Sequence, residues 1–278
     1  MKFAPLLLAA LVASPAHAGM RYTIRNTFDG AGRGGPGNST VQMTTDGQKA
    51  RIAFTQGSPV GKGGYLVTQD GARTLTLVSP EDKTYMSWDM NAMMGMVGAM
   101  SAMMKMEVTD PKIEKLLDEP GPAILGYPTR HYKFRTAYAM SMTVMGFSSS
   151  TSVVREEESW TTTQLDTAAL GHWIKQAPKT LNDSLDKLIR AEMDQMQGMP
   201  LKMLAVQTTT DNNGKVQTIK TVTEVTEIQE LTPEPAAFEI PAGYRETKMD
   251  AGTAKGNDAG TDAAIPAGIP NLMKLFNK

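Results

Sequence analysis

The chain has 278 residues, 28 basic and 29 acidic side chains, 41% apolar content and no cysteine. A chain of this size buries a full hydrophobic core, while a net charge of −1 and 6% aromatic content leave no basic footprint for DNA or RNA. Without Cys there is no disulfide scaffold, thiolate metal site, cysteine nucleophile or lipid-anchor cysteine.

Lys2, the apolar run from Ala4 to Ala13, and Ala16-His17-Ala18 follow the layout of a secretory signal with a small-x-small cleavage site. This predicts a signal peptide over residues 1–18 and a mature chain beginning at Gly19. Pro5 and Ser14-Pro15 interrupt the run, and a spanning helix needs roughly 20 apolar residues. No transmembrane segment is therefore expected after cleavage, and the expected location is the periplasm, without a lipid anchor.

From Arg21 onward, short alternating segments are punctuated by Gly, Asp and Pro, the pattern of antiparallel strands with one wet face. Tyr22, Ile24 and Phe28 alternate with polar residues; Val41 and Met43 lead to an Asp46-Gly47 turn signal; Ile52 and Phe54 continue the pattern. Tyr65-Leu66-Val67, Leu75 with Leu77, and Tyr85 complete six strands before any helix. The period then changes, and residues 90–106 read as a Met-rich helix with Asp89 or Asn91 as cap. A second short helix is expected over Pro111 to Leu117, capped by Asp110 and stopped by Pro120-Gly121-Pro122. Strands resume around Tyr132 and Phe134, then Tyr138 to Val144 and Val153 to Thr162. A helical insertion is expected at 166–197, where Leu181, Leu185, Leu188, Ile189, Met193 and Met196 recur at three and four residues. The last hairpin joins Leu201–Thr210 to Val216–Ile228 through Asp211-Asn212-Asn213-Gly214. In its second strand the apolar residues Val216, Ile219, Val222, Val225 and Ile228 fall every third position, and the density of Thr and Val decides for strand. Residues 246–278, poor in large apolar groups, read as a disordered tail.

The strongest compositional signal is the set Met90, Met93, Met94, Met96, Met100, Met103, Met104 and Met106. A helix this apolar all round must be buried, oligomerise, touch a membrane or cover an apolar ligand, and flexible thioethers repack around differing chains. Two Met-Met-x-Met copies, starting at Met93 and Met103, also raise Cu(I) binding, since thioethers are soft ligands. In Arg155-Glu156-Glu157-Glu158, alternation forces at least one glutamate toward the inner face, where it pairs with an Arg, unless the strand is a charged edge, the favoured reading. His131 and His172 are isolated and read as structural. No Gly-x-Ser-x-Gly, His-Glu-x-x-His or Gly-x-x-x-x-Gly-Lys pattern occurs, so no catalytic residue, no metal site built on His or Cys and no cofactor are expected.

Arg51-Ile52-Ala53-Phe54, the stretch from Tyr65 to Tyr85, Gly126-Tyr127-Pro128-Thr129-Arg130-His131-Tyr132 and Phe238-Glu239-Ile240-Pro241-Ala242-Gly243-Tyr244 together resemble an envelope domain family of unknown function related to the outer-membrane lipoprotein carrier superfamily. The resemblance implies a curved antiparallel sheet forming an incomplete barrel, lid helices on its concave side, and an apolar cavity for acyl chains. It places Arg51 where carriers use an arginine to couple lid closure to release, although the proline that usually follows is absent here.

The reading is a mainly β (α+β) domain over 19–245 that binds a lipid or other apolar small molecule without catalysis. The expected contacts are Tyr22, Ile24, Phe28, Arg51, Phe54, Met90, Met93, Met94, Met100 and Met104. The alternatives are Cu(I) binding by the Met-rich helix and a scaffold that docks a protein partner in the envelope.

Overall fold

Alternating β-branched and aromatic residues separated by Gly and Asp turns build one sheet. The computed structural model describes residues 19–30, 37–57, 62–93, 105–144, 147–165 and 183–247. Its strands are β1 (Gly19–Asp29), β2 (Ser39–Asp46), β3 (Lys49–Gln56), β4 (Tyr65–Thr68), β5 (Thr74–Ser79), β6 (Thr84–Asp89), β7 (Lys105–Ile124), β8 (Tyr127–Val144), β9 (Phe147–Thr162), β10 (Met199–Asp211), β11 (Val216–Leu231) and β12 (Arg245–Glu246). They lie in the order β12-β6-β5-β4-β3-β2-β1-β11-β10-β9-β8-β7. Only β12 runs parallel to its neighbour, β6.

The expected incomplete barrel is an open sheet: β7 and β12 are its two edges and do not pair with each other. Helix among the described residues comprises 90–93, α1 (Asp183–Met193) and a 3-10 turn at Pro235–Phe238. The Met-rich helix starts where expected, at Met90, with Asp89 Oδ1 accepting from the Ala92 N–H at 2.8 Å, but Lys105 and Met106 already belong to β7. Of the expected insertion, α1 is helical and 194–197 is not, while 166–182 lies outside the described residues. The helix expected over Pro111 to Leu117 is strand. Pro111 occupies a bulge between Thr109 and Lys112 on an edge strand, where its missing N–H removes no ladder bond. Asp110 adopts φ +52 there, which a helix start excludes, and pairing along β8 overrides the local cap signal. The expected tail boundary moves as well: Arg245 N–H donates to Lys83 O at 2.9 Å and Thr247 N–H to Tyr85 O at 2.8 Å, so the chain follows β6 past residue 245.

Register sorts the two faces. Met86, Leu77, Leu66, Ile52, Met43, Tyr22 and Ile228 form one transverse apolar row across seven strands. Phe54, Val41, Ile24 and Val225 form the next row on that face. The opposite face presents Ser87, Thr76, Val67, Arg51, Thr44, Arg21 and Gln229 in register. Each fully buried apolar side chain of the first row, such as Tyr22 or Leu66, contributes about 1.5–3 kcal/mol. Val225 and Ile228 share the apolar face despite odd spacing because Thr226 is a bulge opposite Thr23 and Ile24.

Ile124 and Tyr127, at the β7–β8 turn, pack against the cluster that holds Tyr22, Met43 and Ala50. That cluster also includes Met199 and Leu201 of β10, two strand spacings from β8.

Candidate functional site

Period-two alternation brings Tyr22, Ile24 and Phe28 of β1 to the same face as Phe54 of β3. Tyr22 and Phe54 are buried, Ile24 and Phe28 half-buried. Arg51, one residue out of phase with Ile52, stands on the opposite face. There its guanidinium lies 3.5 Å over the Tyr65 ring, and its Nη1–H donates to Ala237 O at 3.1 Å. Met90 and Met93 are half-buried in the helical turn that follows β6, where the Met90 N–H donates to Arg73 O at 2.9 Å. Met94, Met100 and Met104 lie outside the described residues.

The apolar face continues onto β8 and β9, where it holds buried charge. Tyr132 and Phe134 of β8 pair with Ser159 and Glu157 of β9, and Thr136 with Arg155. Glu157 is 3% exposed and is hydrogen-bonded to Arg155. Of the two readings of the glutamate run, the inward, Arg-paired one holds: β9 lies between β8 and β10 and is not an edge. From α1, the buried Glu192 accepts a hydrogen bond from Thr136 Oγ1 at 3.0 Å. Burial pushes the Glu157 carboxyl above the usual range; Arg155 opposes this and the Glu192 charge adds to it. Burial likewise raises the Tyr138 phenol, against the pull of Arg155. No group of three or more His, Cys, Asp or Glu placed to hold a metal occurs among the described residues.

On the other face, Glu119, His131, Trp160, Lys202, Glu224 and Arg25 run in register from β7 to β1. His131, expected to be isolated, stacks on Trp160 with ring centroids 4.3 Å apart and lies 3.2 Å from Glu158 Oε2. The Lys202 ammonium sits 5.5 Å from the Trp160 ring and 3.1 Å from Glu224, which also meets Arg25 at 2.9 Å. Hydrogen bonds from Arg25 and Lys202 hold the Glu224 carboxyl below its ordinary range. A shallow cleft of about 430 Å³ beside this row is lined by Pro122, Ile124, Trp160, Lys202 and Glu224.

Sequence reasoning missed Glu192 and Thr136, whose meeting spans 56 positions, and also Arg21 and Thr44. The signal for the latter pair was present, because they fall on the same alternation phase as Arg51.

Comparison with curated proteins finds no match. A family model described as Domain of unknown function (DUF4412) matches residues 33–244, a span that takes in β2 to β11 whole. On that match, the chain belongs to the Domain of unknown function (DUF4412) family.

Proposed function

We propose that this protein is an exported, non-enzymatic binding protein that takes up a lipid or other apolar ligand on the face carrying Tyr22, Ile24, Phe28 and Phe54. The observation that carries the reading is the seven-strand apolar row, bordered by the half-buried Ile24 and Phe28. At about 0.8 kcal/mol per methylene, a 16-carbon chain offers roughly 12 kcal/mol before association costs, so no polar chemistry is needed for micromolar affinity. Export to the periplasm is part of the proposal. It is supported by the small-x-small site before Gly19 and by the fact that Gly19 opens β1. Kinship with lipoprotein carriers also belongs to the proposal and rests on the sequence resemblance.

Native mass spectrometry of residues 19–278, purified from a periplasmic fraction without detergent, tests it. The expected result is added mass matching a fatty acid or phospholipid in the wild type, and none in an Ile24→Glu/Phe28→Glu variant with unchanged circular dichroism. A clean apo mass, together with no uptake of a fluorescent fatty acid, would overturn the proposal.

A further inference from the structure

We infer that the face opposite the apolar row carries an anion-binding cleft, built on Arg21, Thr44 and Arg51, that accepts a phosphate-type oxyanion. Arg21 and Arg51 flank Thr44 in register, so two guanidinium groups rise from backbones two strand spacings apart, about 10 Å. Between them and the chain that follows β11 lies a cleft of about 350 Å³, also lined by Gln42, Thr232 and Glu234.

Both cations are already positioned. Arg21 Nε–H donates to Thr44 Oγ1 at 3.4 Å. Arg51 is fixed more firmly, between the Tyr65 ring and the Ala237 carbonyl. Each guanidinium has five N–H donors, and one from each is used in these contacts. Among the described residues, neither arginine forms an ion pair with a carboxylate. Arg25, Arg130 and Arg155 have carboxylate partners, whereas Arg135 and Arg245 of the sheet, like Arg21 and Arg51, form no ion pair among the described residues; what sets Arg21 and Arg51 apart is that they line one cleft.

Two cations that line one half-enclosed polar cleft give it a positive potential that an anion bound between them relieves. Planar guanidinium forks match the oxygens of phosphate or carboxylate. The cleft also offers the Thr44 and Thr232 hydroxyls and the Gln42 amide as donors beside the two guanidinium groups. A tetrahedral phosphate, with more oxygens than a planar carboxylate, uses donors spread over several lining residues more fully. Glu234, exposed at the wall, is a like-charged neighbour of the incoming anion and weakens its binding.

Isothermal titration of the mature chain with inorganic phosphate at low ionic strength tests the inference. The expected result is saturable binding that weakens about tenfold or more in Arg21→Gln, weakens in Arg51→Lys, which keeps the charge but loses the fork, and tightens in Glu234→Gln. Circular dichroism checks that each variant is folded, and Arg21→Gln, at a half-exposed site, serves if Arg51→Lys is not. Co-sedimentation with phosphatidylglycerol vesicles, against phosphatidylcholine vesicles, distinguishes the source. Arg21-dependent capture assigns the phosphate to a lipid headgroup, and phosphate binding without capture assigns a soluble phosphate compound. No saturable phosphate binding, undiminished binding in Arg21→Gln, or equal affinity for acetate would overturn it. None of these outcomes bears on the apolar face, which is on the other side of the sheet.

Discussion

Deleting Thr226 from β11 is expected to leave the fold intact, whereas deleting Thr23, which lies beside it on β1, is not. Thr226 is the extra residue of a bulge: Val225 pairs with Ile24 and Glu227 with Thr23. Removing it yields regular alternation, with Val225 and Ile228 still inward and Glu227 still outward. β10 pairs with β11 only as far as Glu224, so that ladder is untouched. The loss is one exposed hydrogen bond, from Thr226 Oγ1 to Thr23 O at 3.2 Å, or about 0.5–1.5 kcal/mol. β1 has no spare residue against β2. Deleting Thr23 moves Tyr22, 1% exposed, to the polar face and turns Arg21 inward. The aromatic loss alone is about 3–5 kcal/mol, before any desolvation of the guanidinium. In thermal melts followed by circular dichroism, 1 kcal/mol corresponds to about 2–4 °C for a domain of this size. The Thr226 deletion should therefore fall by no more than about 6 °C, and the Thr23 deletion by about 10 °C or more, or fail to fold. Equal losses would refute the register argument and give the bulge a shaping role in the sheet.

Two other perturbations test the buried charge and the stacked pair. Burial holds the Glu157 carboxyl above its ordinary value of 4.5, so the folded state binds more protons than the unfolded one, and stability falls as pH rises from that value through the raised one. Glu157→Gln is expected to flatten this slope in urea titrations run from acid to neutral pH; an unchanged slope would show that the group is not held protonated by the fold. A Cβ at Gly121 would lie 2.6 Å from Thr129 Oγ1, 3.0 Å from Trp160 Cδ1 and 3.3 Å from His131 Cβ. Gly121→Ala is thus expected to cost about 1–3 kcal/mol and to alter the near-ultraviolet dichroism of Trp160, whereas an unaltered spectrum and melting temperature would show that the hairpin absorbs the methyl group.

The first six strands were legible because Tyr22, Ile24, Val41, Met43, Ile52 and Phe54 all obey one period and their turns carry Asp-Gly. The Asp211-to-Gly214 turn was legible for the same reason: Asp211 Oδ1 accepts from the Asn213 and Lys215 N–H groups at 2.9 Å each, and Gly214 takes φ +76. β7 was not, because Asp110-Pro111 is a good local helix start, and only β8, brought in by tertiary structure, decides against it. The three-residue spacing in β11 fits neither period; Thr and Val density decides for strand, and the Thr226 bulge explains why Val225 and Ile228 share a face. Within the candidate site, alternation alone put Tyr22, Ile24, Phe28 and Phe54 together and Arg51 opposite them, while the family resemblance drew Arg51 into the apolar set. The Thr136–Glu192 contact has no local signature, since it depends on where α1 docks.

The strand order also constrains shape. Asp89 ends β6 and Lys105 opens β7, with ten strand spacings between those strands, about 48 Å in a flat sheet. The helical residues 90–93 advance the chain only about 6 Å, and the twelve steps that remain reach at most about 40–43 Å fully extended. A flat sheet would thus use almost the whole reach of the link, and any turn in it would leave the edges unjoined. Curling shortens the gap. The apolar row and the row of Arg21, Thr44 and Arg51 lie on opposite faces of the sheet. On the face of Arg21, Thr44 and Arg51, the chain around Ala237 forms a wall of the cleft. One alternation of residue types gives each of the two proposed ligands its own side of the sheet.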